Sequence, residues 1–242
     1  HNAEWLLSLE PDRFLAWFRK EAGLEPKGEV YGGWEKETIA GHSLGHYMSA
    51  CALMYGQTGR EAFRKRTDYI VDELAACQQA HGSGYMSAFP NGKKAFAEVA
   101  RGDIRSAGFD LNGIWVPWYT QHKLMAGLRD IYHYTDNASA LDVWIRHADW
   151  IESVVGDLTD AQWQKMLACE HGGINETFAD LYAITGQEQY LELARKFYHK
   201  AVLDPLSEQR NELTGLHANT QIPKVIGAAR IFELTGENRF KT

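Results

Sequence analysis

The chain is short of several residue classes, and each shortage removes a class of protein. Three cysteines, Cys51, Cys77 and Cys169, are odd in number and widely spaced, which excludes a dense disulfide framework and a zinc-knuckle spacing. Cys51 and Cys77 lie in apolar helical stretches and read as small buried hydrophobes. No run of about 18 apolar residues occurs, so no segment reads as a membrane-spanning helix. The formal net charge is −7 and no basic stripe is present, which argues against a nucleic-acid partner. A phosphate-cradling glycine loop and a Gly-x-Ser-x-Gly nucleophile elbow are both missing. Strand-like alternation is scarce, and no Pro/Gly/Ser-rich linker divides the chain.

What is present is helical periodicity and aromatic residues. Apolar residues make up 45 % and charged residues 24 % of 242 residues, ordinary for a globular protein. The aromatic share is 12 %, with 8 Trp and 11 Tyr. Their flat apolar faces suit a sugar ring, and equally a large helical core. Pro11 opens a helical run at Asp12 to Phe18, which Gly23 ends.

A phrase recurs near the end of four helical stretches: an apolar residue, an aromatic, two residues, then Thr and usually Gly. The copies are Met54 to Gly59, Ile131 to Asp136, Leu181 to Gly186 and Ile231 to Gly236. Tyr132, Tyr182 and Phe232 fall 50 residues apart, while Tyr55 precedes Tyr132 by 77 because Gly82 to Gly113 forms an insertion. A period of this length with two helices per unit predicts an all-α stack of helical hairpins, of the kind that closes into an (α/α)6-type toroid. The Gly after Thr predicts a left-handed helix stop. About four hairpins are present, which predicts one helical-hairpin domain over 1–242, a partial barrel and the N-terminal piece of something longer.

Histidines mark the starts of the repeated helices: His42, His122, His171 and His217. If the helices are equivalent, these four line one mouth of the stack. His42 and His46 share a helix face and can serve substrate hydroxyls, a structural role or a metal; the intervening Ser43 and Leu44 exclude the metalloprotease pattern. Trp115, Trp118, Tyr119, Gln121, His122 and Lys123 combine stacking faces with donors and acceptors, either for a sugar or as a hairpin plug. Glu170, His171, Asn175 and Glu176 flank a Gly pair. Glu176 is a candidate acid/base or a first-turn acid that complements the helix dipole. His217, Asn219, Thr220 and Gln221 precede Pro223, which reads as a first-turn proline after a polar loop.

Seven phrases in order, GGWE, GHSLGHYMSA, DYIVDELAACQ, GYMSAFP, WVPWYTQHKLMAGL, EHGGINETFADLYAITG and HANTQIPKVIGAAR, resemble the start of the catalytic domain of bacterial β-L-arabinofuranosidases, glycoside hydrolase families 127 and 146. The resemblance runs from about Leu7 to Gly236. It implies an (α/α)6 barrel followed by β-sandwich domains. It also implies a retaining mechanism with a zinc-activated Cys nucleophile and a Glu acid/base, acting on plant glycan or glycoprotein arabinose. In the family those groups and the zinc ligands lie downstream of HANTQIPK, beyond residue 242. The resemblance therefore assigns this chain no catalytic residue, metal or cofactor of its own, and implies that the chain alone is inactive. It places His42, His46, Trp118, Tyr119, His122, His171, Glu176, His217 and Asn219 on the sugar-binding wall, with a carbohydrate as partner. Sugar epimerases built on the same barrel with mouth-lining histidines, and a non-catalytic sugar-binding remnant, are the alternative readings.

Overall fold

The structure is a computed structural model that describes residues 1–36 and 39–241. The described residues pack as two compact units, His1–Lys93 with Lys123–Ile151, and Lys94–His122 with Glu152–Thr242.

The first unit contains α1 (Asn2–Ser8), α2 (Pro11–Glu21), α3 (His42–Thr58), α4 (Glu61–His81), and most of α6 (Pro117–Thr135) and α7 (Ala138–Val155). Pro11 occupies the first position of α2, where its missing N–H costs no hydrogen bond. The core gathers Leu15, Phe18, Leu44, Met48, Phe63, Ile70 and Leu74, all without solvent exposure. Two glycines let α3 and α6 cross at backbone contact. A Cβ on Gly45 would lie 2.2 Å from the Lys123 carbonyl oxygen, and one on Gly127 would lie 2.8 Å from the Gly45 oxygen.

The second unit contains most of α5 (Gly92–Ala100), a small antiparallel meander, the first turns of α6, and α8 (Asp160–Leu167), α9 (Ile174–Thr185), α10 (Glu188–Lys196), α11 (Lys200–Ser207) and α12 (Ala218–Thr235). The meander has three two-residue strands, β1 (Ser106–Ala107), β2 (Asp110–Leu111) and β3 (Ile114–Trp115), with Ala107 opposite Asp110 and Leu111 opposite Ile114. A capping box between Thr159 and Gln162 starts α8. The core is an aromatic nest: Phe197 meets Trp163 at 5.0 Å, Phe178 at 5.6 Å and Trp118 at 5.8 Å between ring centroids.

The repeated phrase is a helix stop with a defined mechanism. Thr58, Thr135, Thr185 and Thr235 each donate their hydroxyl to the carbonyl four residues back, at 2.6 to 2.8 Å. Gly59, Gly186 and Gly236 follow in the left-handed region, and each N–H closes on the carbonyl of the repeated aromatic, Tyr55, Tyr182 or Phe232. The same Thr oxygen then accepts the N–H of Arg60, Gln187 or Glu237. In the second copy Asp136 stands where glycine would and takes φ +55°, a conformation a short polar side chain tolerates. The four copies of the phrase thus close their helices through the same Thr hydroxyl bond, with glycine following at three of them.

Two helix starts differ from expectation. Helix α6 begins at Pro117, so His122 lies more than a turn inside it rather than before it. Helix α12 begins at Ala218, so Pro223 sits in its interior and Asn219 to Ile222 are helical rather than loop. Pro223 cannot donate to Asn219, but Asn219 is solvent-exposed and water can meet that carbonyl.

Candidate functional site

In the first unit the polar group stands at the start of α3. Gly41 precedes the helix at φ +97°, and a Cβ there would strike the Phe18 ring at 2.8 Å. The carboxylate of Glu35, almost fully buried, accepts the N–H of Gly41 at 2.8 Å and of Ser43 at 3.0 Å. An anion at a helix N-terminus is stabilised by the unpaired N–H groups and the helix dipole. His42 Nδ1 lies 2.9 Å from Glu35 Oε1 and 2.7 Å from the Ile39 carbonyl, so Nδ1 carries the proton. Burial alone would raise the Glu35 carboxyl, but the hydrogen bonds from His42, Gly41 and Ser43 bring it below its ordinary range. His46 follows one turn later, its ring 6.0 Å from His42 and perpendicular to it. Its pKa is lowered by desolvation first and then by the Lys123 ammonium and His42.

In the second unit three helix starts converge. Val116, a β-branched residue, is held at φ +40° by its N–H on the Phe109 carbonyl at 2.7 Å, and this strained turn aims the start of α6. The Gly173 N–H, at the start of α9, donates to His122 Nδ1 at 3.1 Å. That leaves the proton of a neutral His122 on Nε2, the opposite tautomer to His42. A Cβ on Gly172 would lie 2.8 Å from His122 Nδ1, and one on Gly173 would lie 3.0 Å from the Pro223 carbonyl of α12. The Gly pair of the EHGG phrase therefore exists to let α6, α9 and α12 meet. A second pin joins α9 to α12, where Asn175 Nδ2 donates to the Lys224 carbonyl at 3.0 Å.

Beside this junction lies a buried polar cluster. Lys224 is 1 % exposed, with Nζ 2.9 Å from His199 Nδ1 and 3.0 Å from Gln221 Oε1. It pairs with no carboxylate at salt-bridge distance among the described residues. Burial pushes its pKa down to about 8, with Glu170 and Cys169 opposing. Burial, helped by the Lys224 charge, holds His199 down at about 4, so its ring is a neutral acceptor. Glu170 is buried, and its carboxylate accepts no hydrogen bond from the described residues. Tyr119, half-buried, is raised by burial and by the Glu170 charge. His171 is fully buried; its Nδ1 is 3.2 Å from the Cys169 carbonyl, while its Nε2 has no partner. Gln121 is likewise fully buried with neither amide atom partnered. His171 Nε2 and both amide atoms of Gln121 are thus buried polar atoms without a hydrogen-bond partner among the described residues.

The other expected residues are placed differently. Trp118 is fully buried against Phe96 and Phe197, so it serves the core and presents no face to a sugar ring. Trp115, on the adjoining strand, is exposed and stacks on Phe109 at 6.3 Å. Glu176 is a first-turn acid of α9 and half-buried. His217 caps α12, with Nδ1 3.1 Å from Thr220 Oγ1 and its ring edge-on to Phe109. Both His217 and Asn219 are exposed. Of the four repeat histidines, His122 and His171 are buried in the second unit, His217 is on its surface, and His42 belongs to the first unit. Glu35 and Lys224 lie inside the quoted phrases GGWE and HANTQIPKVIGAAR without a role of their own there, and His199 lies outside them.

The zinc implied by the resemblance finds no site here: among the described residues no three His, Cys, Asp or Glu side chains come together to hold a metal. The three cysteines are buried, and burial raises their thiols to about 11 for Cys51 and Cys77 and about 12 for Cys169.

Twelve α-helices and one small sheet among the described residues put the chain in the all-α class. Over residues 1–242 it matches the β-L-arabinofuranosidase GH127 catalytic-domain family, and it belongs to that family. A GH127 β-L-arabinofuranosidase from Geobacillus stearothermophilus T6 has a similar structure, with a TM-score of 0.66 and 18 % identity over 96 % of this chain and 38 % of the other. A second solved GH127 β-arabinofuranosidase gives a TM-score of 0.64 and 17 % identity over 98 % of this chain and 39 % of the other. The chain thus shares the fold of the part of each that it covers and spans about two fifths of their length. No curated protein matches it.

Proposed function

We propose that this chain supplies sugar-recognition groups of a retaining glycoside hydrolase that acts on β-L-arabinofuranosides of plant glycans or glycoproteins. The observation that carries the reading is the junction of α6, α9 and α12, where His171, Glu170 and Lys224 stand buried and His171 Nε2 has no hydrogen-bond partner. A sugar needs such an array, because each ring hydroxyl both donates and accepts. Lys224 Nζ donates, and the Glu170 carboxylate accepts. The Gly172–Gly173 turn fixes the direction of the His122 ring. Tyr119 and Glu176 line the same helix starts, and His217 and Asn219 extend the polar surface at the start of α12. His42 and His46 offer donors and acceptors at the start of α3.

The reacting groups belong elsewhere in the protein. A nucleophilic thiol needs thiolate character, and the three cysteines here are buried with raised pKa values, which is the opposite environment.

The test is a titration of the chain with methyl β-L-arabinofuranoside, followed by the imidazole resonances of His122 and His171. Saturable shifts, at least tenfold weaker in Lys224→Met and Glu170→Gln, are expected. Release of arabinose from an aryl β-L-arabinofuranoside by this chain alone would overturn the placement of the reacting groups. An absence of saturable shifts would overturn the sugar-binding role.

A further inference from the structure

The dipeptide Asn–Gly occurs twice in the chain, at Asn91–Gly92 and at Asn112–Gly113. This pairing is prone to lose its side-chain amide. The backbone nitrogen of the second residue, once it gives up its proton, attacks the asparagine Cγ. A five-membered succinimide closes and ammonia leaves. Water then opens the ring at either carbonyl. One opening gives aspartate, and the other gives isoaspartate, in which the main chain runs through the side-chain carbon. Glycine suits the step because no Cβ shields its nitrogen and its backbone turns freely.

Both asparagines stand in the left-handed region, at φ +64° for Asn91 and +54° for Asn112, so φ does not separate them. Hydrogen bonding does. Asn112 is buried, and its Oδ1 accepts the Arg105 N–H at 2.9 Å. Its Nδ2 donates to Glu98 Oε2 at 3.1 Å and to the Asp103 carbonyl at 2.8 Å. The Gly113 N–H donates to Asp110 Oδ1 at 3.1 Å. Neither the carbon under attack nor the attacking nitrogen can turn toward the other while these bonds hold.

Asn91 is exposed, and its side-chain amide has no hydrogen-bond partner among the described residues. It lies in the turn just ahead of α5. The Gly92 N–H donates to the Phe89 carbonyl at 3.0 Å, and this bond must open for the attack. It sits at a helix start, where the N–H groups have no intrahelical carbonyl and local opening is cheap.

The two products differ in what they do to the fold. Isoaspartate lengthens the main chain by one atom, so Gly92 must shift. Gly92 is buried, and a Cβ built on it would strike the Tyr85 hydroxyl and lie 3.3 Å from the Phe89 Cβ. That side of Gly92 has no slack. Aspartate keeps the main-chain length and sets a carboxylate ahead of α5, where the helix dipole favours it.

We propose that Asn91 is a site of spontaneous modification, converted to aspartate and isoaspartate by attack of the Gly92 nitrogen, and that the isoaspartyl form unseats Gly92 from Tyr85. Asn112, in the same dipeptide, is preserved by the bonds on its amide. Each conversion makes the net charge of −7 more negative by one. The proposal stands apart from the carbohydrate reading.

The experiment ages the chain in warm, mildly alkaline buffer, folded and in denaturant, and follows both Asn–Gly peptides by mass spectrometry. Isoaspartate is detected by fragmentation. In the folded chain the Asn91 peptide should convert at least tenfold faster than the Asn112 peptide. In denaturant the two should convert at similar rates, because only the fold distinguishes them. The isoaspartyl fraction, separated by ion exchange, should melt lower than fresh protein, while Asn91→Asp should melt no lower. A folded Asn91 as inert as Asn112, or an Asn112 that converts first, would overturn the modification site. An isoaspartyl fraction that melts like fresh protein would overturn the tight seat of Gly92.

Discussion

The Gly173 N–H donates to His122 Nδ1 at 3.1 Å, across 51 positions of sequence, and so sets which nitrogen of that imidazole carries its proton. The expected result in a long-range proton–nitrogen correlation spectrum is an Nε2–H tautomer for His122 and an Nδ1–H tautomer for neutral His42. Gly172→Ala puts a Cβ 2.8 Å from that Nδ1 at φ +60°. It should cost about 2 kcal/mol and disturb the His122 signals. An unchanged His122 spectrum in this variant would contradict the contact.

Two glycines separate steric from conformational cost. Gly186 sits at φ +70° with nothing within 4 Å of an added Cβ, so Gly186→Ala should cost only about 1–2 kcal/mol. Gly45 has helical backbone angles, but its Cβ would lie 2.2 Å from a backbone carbonyl that cannot swing aside as a side chain can. Gly45→Ala should cost about 3 kcal/mol or more. Denaturant melts that rank the two the other way would rule out the close crossing of α3 and α6.

Lys224 should give the stability curve an alkaline feature. Its folded pKa of about 8 is below the ordinary 10.5, so between those values the unfolded chain binds more protons than the folded one. Stability then rises with pH across that window, by about 3 kcal/mol at full deprotonation. The difference between the protein and Lys224→Met isolates this rise from other titrating groups. A flat difference from pH 8 to 10.5 would show that the ammonium is not desolvated.

Glu35 should act at the acid end. Its folded pKa is lowered, so its contribution is complete above its unfolded value near 4.5 and is lost as pH falls below that point. Glu35→Gln should flatten the acid limb of the stability curve, and Glu35→Ala should cost about 2 kcal/mol at pH 7 by leaving the Gly41 and Ser43 N–H groups without their acceptor. Equal acid limbs in Glu35→Gln and the unaltered protein would argue against the buried carboxylate.

The cysteines should be silent in the fold. At pH 8 a disulfide reagent is expected to modify none of Cys51, Cys77 and Cys169 within minutes, and all three after denaturation. Rapid modification of any one in the folded chain would mark a reactive thiol that burial does not explain.

The sequence carries the helix stops openly, because a Thr–Gly stop is local chemistry: each hydroxyl, carbonyl and glycine involved lies within six residues. The starts of the helices are less legible. His122 reads as a residue ahead of its helix, although Pro117 five positions earlier is a first-turn signal. Pro223 reads as a helix start and so hides Lys224, whose spacing with Gly227, Ala228 and Ile231 sets it on the buried face of α12. Glu35 escapes notice because a loop brings it back onto the N–H groups of α3, a contact no periodicity encodes. Trp118 and Trp115 illustrate the same limit: composition says aromatic, and only packing decides which ring is core and which is surface.

The Thr–Gly closure has a wider consequence. Helices α3, α6, α9 and α12 carry the same Thr-based ending, whereas their beginnings share little beyond a histidine nearby. One terminus is thus a standard part, interchangeable among copies, and the other is bespoke. Exchanging an ending between two hairpins should be silent, while exchanging a beginning should rewrite what the surface can hold. Division of labour along a single helix lets recognition diverge without renegotiating the architecture that carries it.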